Sequence, residues 1–430
     1  MAGLILHSDV IKQSVESNYT LPELDRLETY LFERGVLSFQ PLATGLYPAA
    51  QVDAATIKSG YHNVWVRDHV FVAHAHYVNG RGDAAVGVAR GLFAFFSKDL
   101  FRFDDIIAGR VDRNAPMNRV PIRFDGASLS ELPEKWSHAQ NDALGYFVWL
   151  FCQLAAAGAI PLTDDGLALM EKFLAYFGAI RFWEDEDSGH WEEKRKISAS
   201  SIGVVVGGLE AMKAMLEASA AHDDFGPARI GRTVSLLADF IGRGRRTLDE
   251  ILPAECVQAE RGKRRRYDAA LLFLVHPIGV VGQAMADRIV GDVAGHLQGD
   301  VGIRRYIGDS YWCADYRELF SPEERSGDFS ENLERRDRYL KEGEEAQWCI
   351  FDPIMSAIYG DRYLRTGLAS DIEKQIAYFN RSLGQITDKL QCPEAYFIER
   401  GDYVPNDNTP LLWTQANLWL ALKAMKSTAT

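Results

Sequence analysis

Apolar residues recur at spacings of three and four along most of the chain, the period of an α-helix that buries one face. The pattern predicts helices over Leu21–Val36, His69–Tyr77, Ala84–Phe96, Gln140–Ala157 and Asp165–Phe177. It returns in Ser201–Ser219, Ile230–Ile241, Ala269–Leu274 and Pro277–Leu297, and closes with Ala346–Leu364, Ile372–Leu383 and Pro410–Ala424. The strict alternation expected of a half-buried strand is scarce. Tyr146–Leu162 and Val204–Leu216 are apolar nearly all round, as inner helices are, whereas Leu21–Val36 is amphipathic and suits an outer layer. Irregular segments rich in Gly, Asp, Trp and charge separate successive helix pairs. This alternation predicts an all-α toroid of helical hairpins, with inner helices shielded by outer ones and the loops at one rim free for chemistry. No Pro/Ser linker or shift in composition divides the chain, so residues 1–430 read as a single domain.

Composition narrows the function classes. The 430 residues are 47% hydrophobic and 25% charged, which excludes a disordered or collagen-like chain. A net charge of −13 argues against a nucleic-acid partner and favours a neutral small molecule or carbohydrate. Aromatics are generous at 11%; they usually fill a core, and their faces also stack on sugars. Cys152, Cys256, Cys313, Cys349 and Cys392 are scattered and odd in number, with no metal-ligand spacing, so neither a disulfide framework nor a zinc site is expected. The start, MAGLILHSDV, lacks a charged region followed by a long apolar stretch, and the chain is expected to be cytoplasmic. Tyr146–Leu162 is the longest apolar run, but Gln153 and its Ala/Gly content favour a buried helix over a membrane span. Glu260–Arg266 reads as a solvated basic loop. The charge-dense connection Ser321–Glu345 is long enough to be a lid over a pocket, or plain surface.

Five loop clusters carry candidate chemistry. Tyr61, Trp65, Arg67 and Asp68 precede an apolar helix and set a guanidinium fork beside a carboxylate, which suits sugar hydroxyls; a capping Asp68 with a solvated Arg67 is the alternative. Trp136, His138, Gln140 and Asp142 enter another helix, where an N-cap cluster also accounts for them. His190-Trp191-Glu192-Glu193 sets a carboxylic acid against an indole, and apolar contact raises a carboxyl pKa as a general acid requires. The fourth cluster is Arg304-Arg305-Tyr306 with Asp309, Tyr311 and Trp312. The fifth is Glu394 with Tyr396 and Phe397, followed by Asn408 to Trp413 and Gln415. Two carboxylates, one protonating a leaving oxygen and one activating water, are what glycoside hydrolysis uses. No P-loop, dinucleotide fingerprint or nucleophile elbow competes.

In this order the five clusters resemble the glucoamylase-type glycoside hydrolases of family 15, and the related N-terminal domains of the phosphorylase kinase α and β subunits. The likeness spans about Tyr61 to Leu422. It implies an (α/α)6 barrel, with Glu192 as general acid and Glu394 as general base. It further implies substrate contacts from Tyr61, Trp65, Arg67, Asp68, Trp136, His138, Gln140, Asp142, Trp191, Glu193, Arg305, Tyr306 and Trp413, and no metal or cofactor. Many family members carry Arg where this chain has His138. Ser198–Ser201, Tyr267–Leu271 and Pro410–Gln415 look more like the kinase-subunit branch. The expected activity is inverting, exo-acting hydrolysis of short α-gluco-oligosaccharides with release of β-glucose. A non-catalytic carbohydrate-binding module is the alternative.

Overall fold

Helix α1 (Leu21–Glu33) begins at a capping box, in which the backbone N–H of Thr20 donates to the Glu23 carboxylate at 2.8 Å and Pro22 occupies the first turn. The computed structural model describes residues 4–51, 54–218, 225–260 and 262–429. Among these residues, helices then alternate between two layers. The outer ones are α1, α3 (Gly82–Lys98), α5 (Asp164–Ile180), α7 (Pro227–Ile251), α9 (Gln283–His296) and α11 (Ala369–Gly384). The inner ones are α2 (Val66–Val78), α4 (Asn141–Ala156), α6 (Ala199–Ala218), α8 (Leu272–Val275), α10 (Phe351–Thr366) and α12 (Leu412–Thr428). Each inner helix packs on the next, and α12 packs on α2, so the inner ring closes. Outer helices sit against it: α3 on α2 and α4, α7 on α6, α11 on α10 and α12. This is the expected (α/α)6 barrel.

The period of the sequence reflects these two layers. In α4, thirteen residues from Asn141 to Leu154 are buried, and in α2 the run Val66–Ala73 is buried without interruption. In α7 the apolar residues fall on one stripe and the other face is exposed. Helix α7 runs past the predicted end at Ile241 through Gly242 and Gly244. Packing explains Gly244, since a Cβ there would lie 2.5 Å from Val206 Cγ2 and 3.1 Å from the Phe182 ring. Helix α6 is long and apolar enough to cross a membrane, and 78% of its most apolar window is buried inside the barrel.

Strands are short and lie in the loops. One antiparallel sheet joins β1 (Val64–Trp65), β2 (Arg123–Asp125) and β3 (Ser130–Glu131). A hairpin joins β4 (Cys256–Val257) and β5 (Arg264–Arg265). A four-stranded sheet runs β6 (Ile303–Arg304), β7 (Gln347–Trp348), β8 (Ala395–Glu399) and β9 (Asp402–Pro405). Ala395, Tyr396 and Phe397 in β8 are all buried, so this strand shows no alternation along its sequence. The basic stretch is solvated only in part: Glu260 and Arg264 are exposed, and Arg261 lies outside the described residues. Three of its cations pair with the barrel, Lys263 with Glu186 at 2.8 Å, Arg265 with Glu193 at 2.9 Å and Arg266 with Asp292 at 3.0 Å. An acidic barrel supplies the partners that a loop in water would lack.

Helices α4 and α6 meet backbone to backbone. A Cβ on Gly145 would lie 2.9 Å from the Val205 backbone, and one on Gly208 would lie 2.6 Å from the Gly145 carbonyl oxygen. Replacing either by Ala should lower the unfolding free energy by about 1–3 kcal/mol through overpacking. Gly231→Ala, in open space on α7, should be neutral or stabilising by up to about 1 kcal/mol. Urea denaturation of the three variants measures the contrast.

Candidate active site

The N-terminal turns of the inner helices meet at one rim. Trp65 precedes α2, and Arg67 and Asp68 lie in its first turn. Gln140 caps α4, with Asp142 one residue inside. Ser200 and Ser201 open α6, Asp268 caps the short turn leading into α8, Trp348 precedes α10, and Trp413 stands second in α12. Helix N-termini carry partial positive charge, a favourable setting for buried carboxylates. They frame a cavity lined by Tyr61, Trp65, Arg67, Asp68, Trp136 and Trp191, and by Glu192, Arg305, Glu394 and Trp413.

The two glutamates reach this cavity from loops far apart in sequence, each with its own set of donors. Glu192 Oε1 accepts from Trp65 Nε1 at 3.0 Å and from Gln140 Nε2 at 3.1 Å, and Arg67 Nη2 lies 3.8 Å away. Among the described residues, every hydrogen bond to Glu192 falls on Oε1. With 21% of the side chain exposed, Oε2 is left to face the cavity. Burial raises the Glu192 pKa, opposed by Arg67, by the Gln140 hydrogen bond and by Arg123, and reinforced by Asp328. Its backbone is left-handed, at φ 57°. Such a conformation costs a non-glycine residue about 1 kcal/mol or more and persists where its surroundings fix it. Here the loop is pinned by Ser188 N–H to the Ala139 carbonyl at 2.7 Å and by the paired Asp187 and Lys196 backbones.

Glu394 takes more donors. Tyr61 Oη donates to its Oε1 at 2.6 Å, and Asn406, Asn408 and Tyr311 donate to Oε2 at 2.5, 2.9 and 3.4 Å. Burial raises its pKa, while the hydrogen bonds from Tyr61, Asn408 and Asn406 stabilise the anion and pull it back. Asp68 is pushed up to about 7, first by burial and then by the charges of Glu192 and Glu394, against the pull of Arg67.

Arg67 Nη1 donates to Gln140 Oε1 and Asp142 Oδ2, both at 3.2 Å, and its guanidinium lies 5.4 Å from the Trp413 ring. Arg305 is gripped by both Asp309 oxygens at 2.6 Å and faces the rings of Trp191, Tyr311 and Trp348 at about 5 Å. Arg123 lies 4.1 Å from the Trp136 ring and 4.9 Å from the Trp65 ring, and the two indoles meet edge to face.

Five residues expected to touch a ligand stand behind the wall. Gln140 and Asp142 brace Arg67. His138 accepts from the Ile122 N–H at 3.4 Å, and burial lowers its pKa to about 3, so it is neutral. Glu193 is buried among Arg265, Arg305, Lys196 and Arg336, and these cations hold its carboxyl well below the usual range against the effect of burial. The Tyr306 hydroxyl donates to Glu193.

With the geometry in place, comparison decides the family. The model of glycosyl hydrolases family 15 matches residues 32–417. The chain belongs to that family. A glycosidase variant in complex with glucose shares the fold of this family 15 chain at TM-score 0.66 and 19% identity, over 95% of this chain and 99% of the other. A bacterial glucoamylase complexed with acarbose gives TM-score 0.61 at 15% identity, over 90% of this chain and 53% of the other. A curated relative named as an uncharacterized lipoprotein, YgeQ of Escherichia coli (strain K12), is 29% identical over 206 residues, 43% of this chain and 78% of its own. The chain is therefore a glycoside hydrolase by family and fold.

The cavity also uses residues not singled out as ligand contacts. Tyr311 and His190 line it from within the recognised clusters, and Asn406 and Asn408 reach it through Glu394. Trp348 lines it too, but it falls inside a segment whose apolar spacing reads as helix from Ala346 onwards, whereas the structure makes β7 there. Ser326–Phe329 and Arg336 enter from the 321–345 connection, which gives that stretch a place in the cavity wall.

Because the Tyr61 hydrogen bond stabilises ionised Glu394, Tyr61→Phe should move the Glu394 titration upward. Carboxyl-carbon NMR across a pH series reads this shift, and an unchanged or lowered value would contradict the assigned donor.

Proposed function

We propose that this chain is an inverting, exo-acting α-glucoside hydrolase that releases β-glucose from short α-gluco-oligosaccharides. The observation that carries the reading is one cavity lined by two carboxyl groups with different donor sets, Glu394 buried and Glu192 partly exposed. Glu192 acts as the acid: burial raises its pKa and so favours the protonated form, and Oε2, free of the hydrogen bonds that Oε1 accepts, delivers the proton to the glycosidic oxygen. Glu394 acts as the base: burial raises its pKa, and the hydrogen bonds from Tyr61, Asn408 and Asn406 oppose that shift and favour the anion that takes a proton from the attacking water. Tyr61, bonded to the same carboxylate, helps place that water.

Arg67, Asp68 and Arg305 hold the terminal glucose through its hydroxyls, and Trp65, Trp136, Trp191 and Trp413 supply apolar walls for the sugar faces. Gln140, Asp142, Glu193, Tyr306 and His138 keep those groups in place.

The pH dependence follows from the two roles. Activity declines as pH rises through the Glu192 pKa, because the acid loses its proton. It declines as pH falls through the Glu394 pKa, because the base gains one. A bell-shaped kcat/KM profile is expected, and Glu192→Gln removes the limb on the basic side.

Glucose release from maltose, isomaltose, trehalose and maltotetraose tests the proposal and names the linkage. Glu192→Gln and Glu394→Gln should each lose about 10²–10⁴-fold in turnover or more with an unchanged circular dichroism spectrum. Near-wild-type turnover in either variant removes that residue from its role. Saturable glucose binding with no release from any substrate would favour the non-catalytic binding module.

A further inference from the structure

Asp268 opens the short turn before α8 and is fully buried. Capping accounts for part of its bonding, since Oδ1 accepts from the Ala270 N–H at 2.9 Å. Its other bonds leave the turn. Oδ1 also accepts from Trp191 Nε1 at 2.9 Å, and Oδ2 accepts from Arg265 Nη1 at 2.8 Å. An uncharged serine or asparagine caps a helix as well as aspartate does, and burying a carboxylate is costly unless cations and donors offset it. The charge at this position is therefore tied to what Trp191 and Arg265 do.

Those two partners lead to either side of Glu192. Trp191 precedes it in the chain, and its indole forms part of the cavity wall. Arg265 uses its second nitrogen, Nη2, to hold Glu193 Oε2 at 2.9 Å, and Glu193 follows the acid. The residues before and after Glu192 are thus fastened to one carboxylate, the first directly and the second through a single guanidinium. Between them Glu192 has φ 57°, a left-handed backbone that its surroundings have to maintain. The Ala269 N–H donates to the Arg305 carbonyl at 2.8 Å, which ties the Asp268 turn to a further wall residue.

We propose that Asp268 is a positioning residue for the general acid. It holds Trp191 directly and Glu193 through Arg265, so that the Glu192 carboxyl between them meets the glycosidic oxygen. The assignment rests on the hydrolase reading above and adds to it a fully buried residue that acts through the neighbours of the acid.

The test compares α-glucosyl fluoride with the disaccharide that the substrate panel shows to be cleaved. Both present the same glucose to the cavity. The departing sugar needs the Glu192 proton as the C–O bond breaks, whereas fluoride leaves with little help from an acid. In Asp268→Ala the disaccharide-to-fluoride ratio of kcat should fall about 10- to 100-fold, because a displacement of about 1 Å can cost a positioned group that much. Asp268→Asn keeps an acceptor for the indole N–H but loses the partner of Arg265, so it should recover part of the ratio. A residue that only stabilises the barrel would lower both substrates alike, so equal losses or an unchanged ratio in Asp268→Ala overturn the proposal. If the Ala variant does not fold, the Asn variant decides: a lowered ratio supports the proposal and an unchanged one overturns it. Should the wild-type protein cleave no disaccharide of the panel, the hydrolase reading fails, and NMR of the Trp65 indole N–H, which donates to Glu192 Oε1, still judges the bracing. A Trp65 resonance displaced in Asp268→Asn supports it, and an unchanged one overturns it.

Discussion

A guanidinium that cannot shed its charge sits at the base of the cavity, and much of the site is arranged to keep Arg67 buried. It is bonded to Asp142 and Gln140, approaches Glu192 and lies over Trp413. Those partners come from α4, from the loop before α6 and from α12, so one side chain on α2 ties three other segments of the barrel together. A buried cation left without its partners is strongly destabilising, so these segments are constrained to meet. The closed ring of inner helices supplies the frame, and the backbone contact at Gly145 and Gly208 sets how near α4 and α6 come.

Within that frame, adjacent residues acquire opposite chemistry. Glu192 and Glu193 are neighbours, yet one carboxyl is pushed up and the other pulled well down. Burial acts on both in the same direction. The difference lies in the company each keeps: Glu192 has uncharged donors and one cation at 3.8 Å, and Glu193 has four cations around it. The left-handed backbone at Glu192 sits at the point where the chain turns one side chain to the cavity and the next to the cation cluster. A group poised to hold a proton and a group that anchors four cations thus arise from a two-residue step.

The barrel was legible because buried and half-buried helices leave different periods, and those periods survive without any knowledge of partners. The Trp65–Arg67–Asp68 and Trp191–Glu192 clusters were legible because such dense polar and aromatic groups stand out beside apolar helices. Position within the site was harder to read. Tyr306 and Glu193 look like ligand contacts in sequence, but they face each other behind the wall, and only the fold brings Arg265 and Arg336 to them. Trp348 was masked by an apolar spacing that fits a helix as well as the short strand it forms. Lys263, Arg265 and Arg266 read as solvated because their partners Glu186, Glu193 and Asp292 are distant in the chain. Nothing local distinguishes Arg336 from the other charges around it, since its burial depends on Tyr311, Ser310 and Glu193 arriving from elsewhere.

The central claim is that two carboxyl groups divide the work of a single displacement by water, one as acid and one as base. Proton NMR of the first product formed, before mutarotation, tests it most directly. β-Glucose appearing first from an α-linked disaccharide is the predicted result. α-Glucose appearing first would require a covalent intermediate and two displacements, and would contradict the roles given to Glu192 and Glu394.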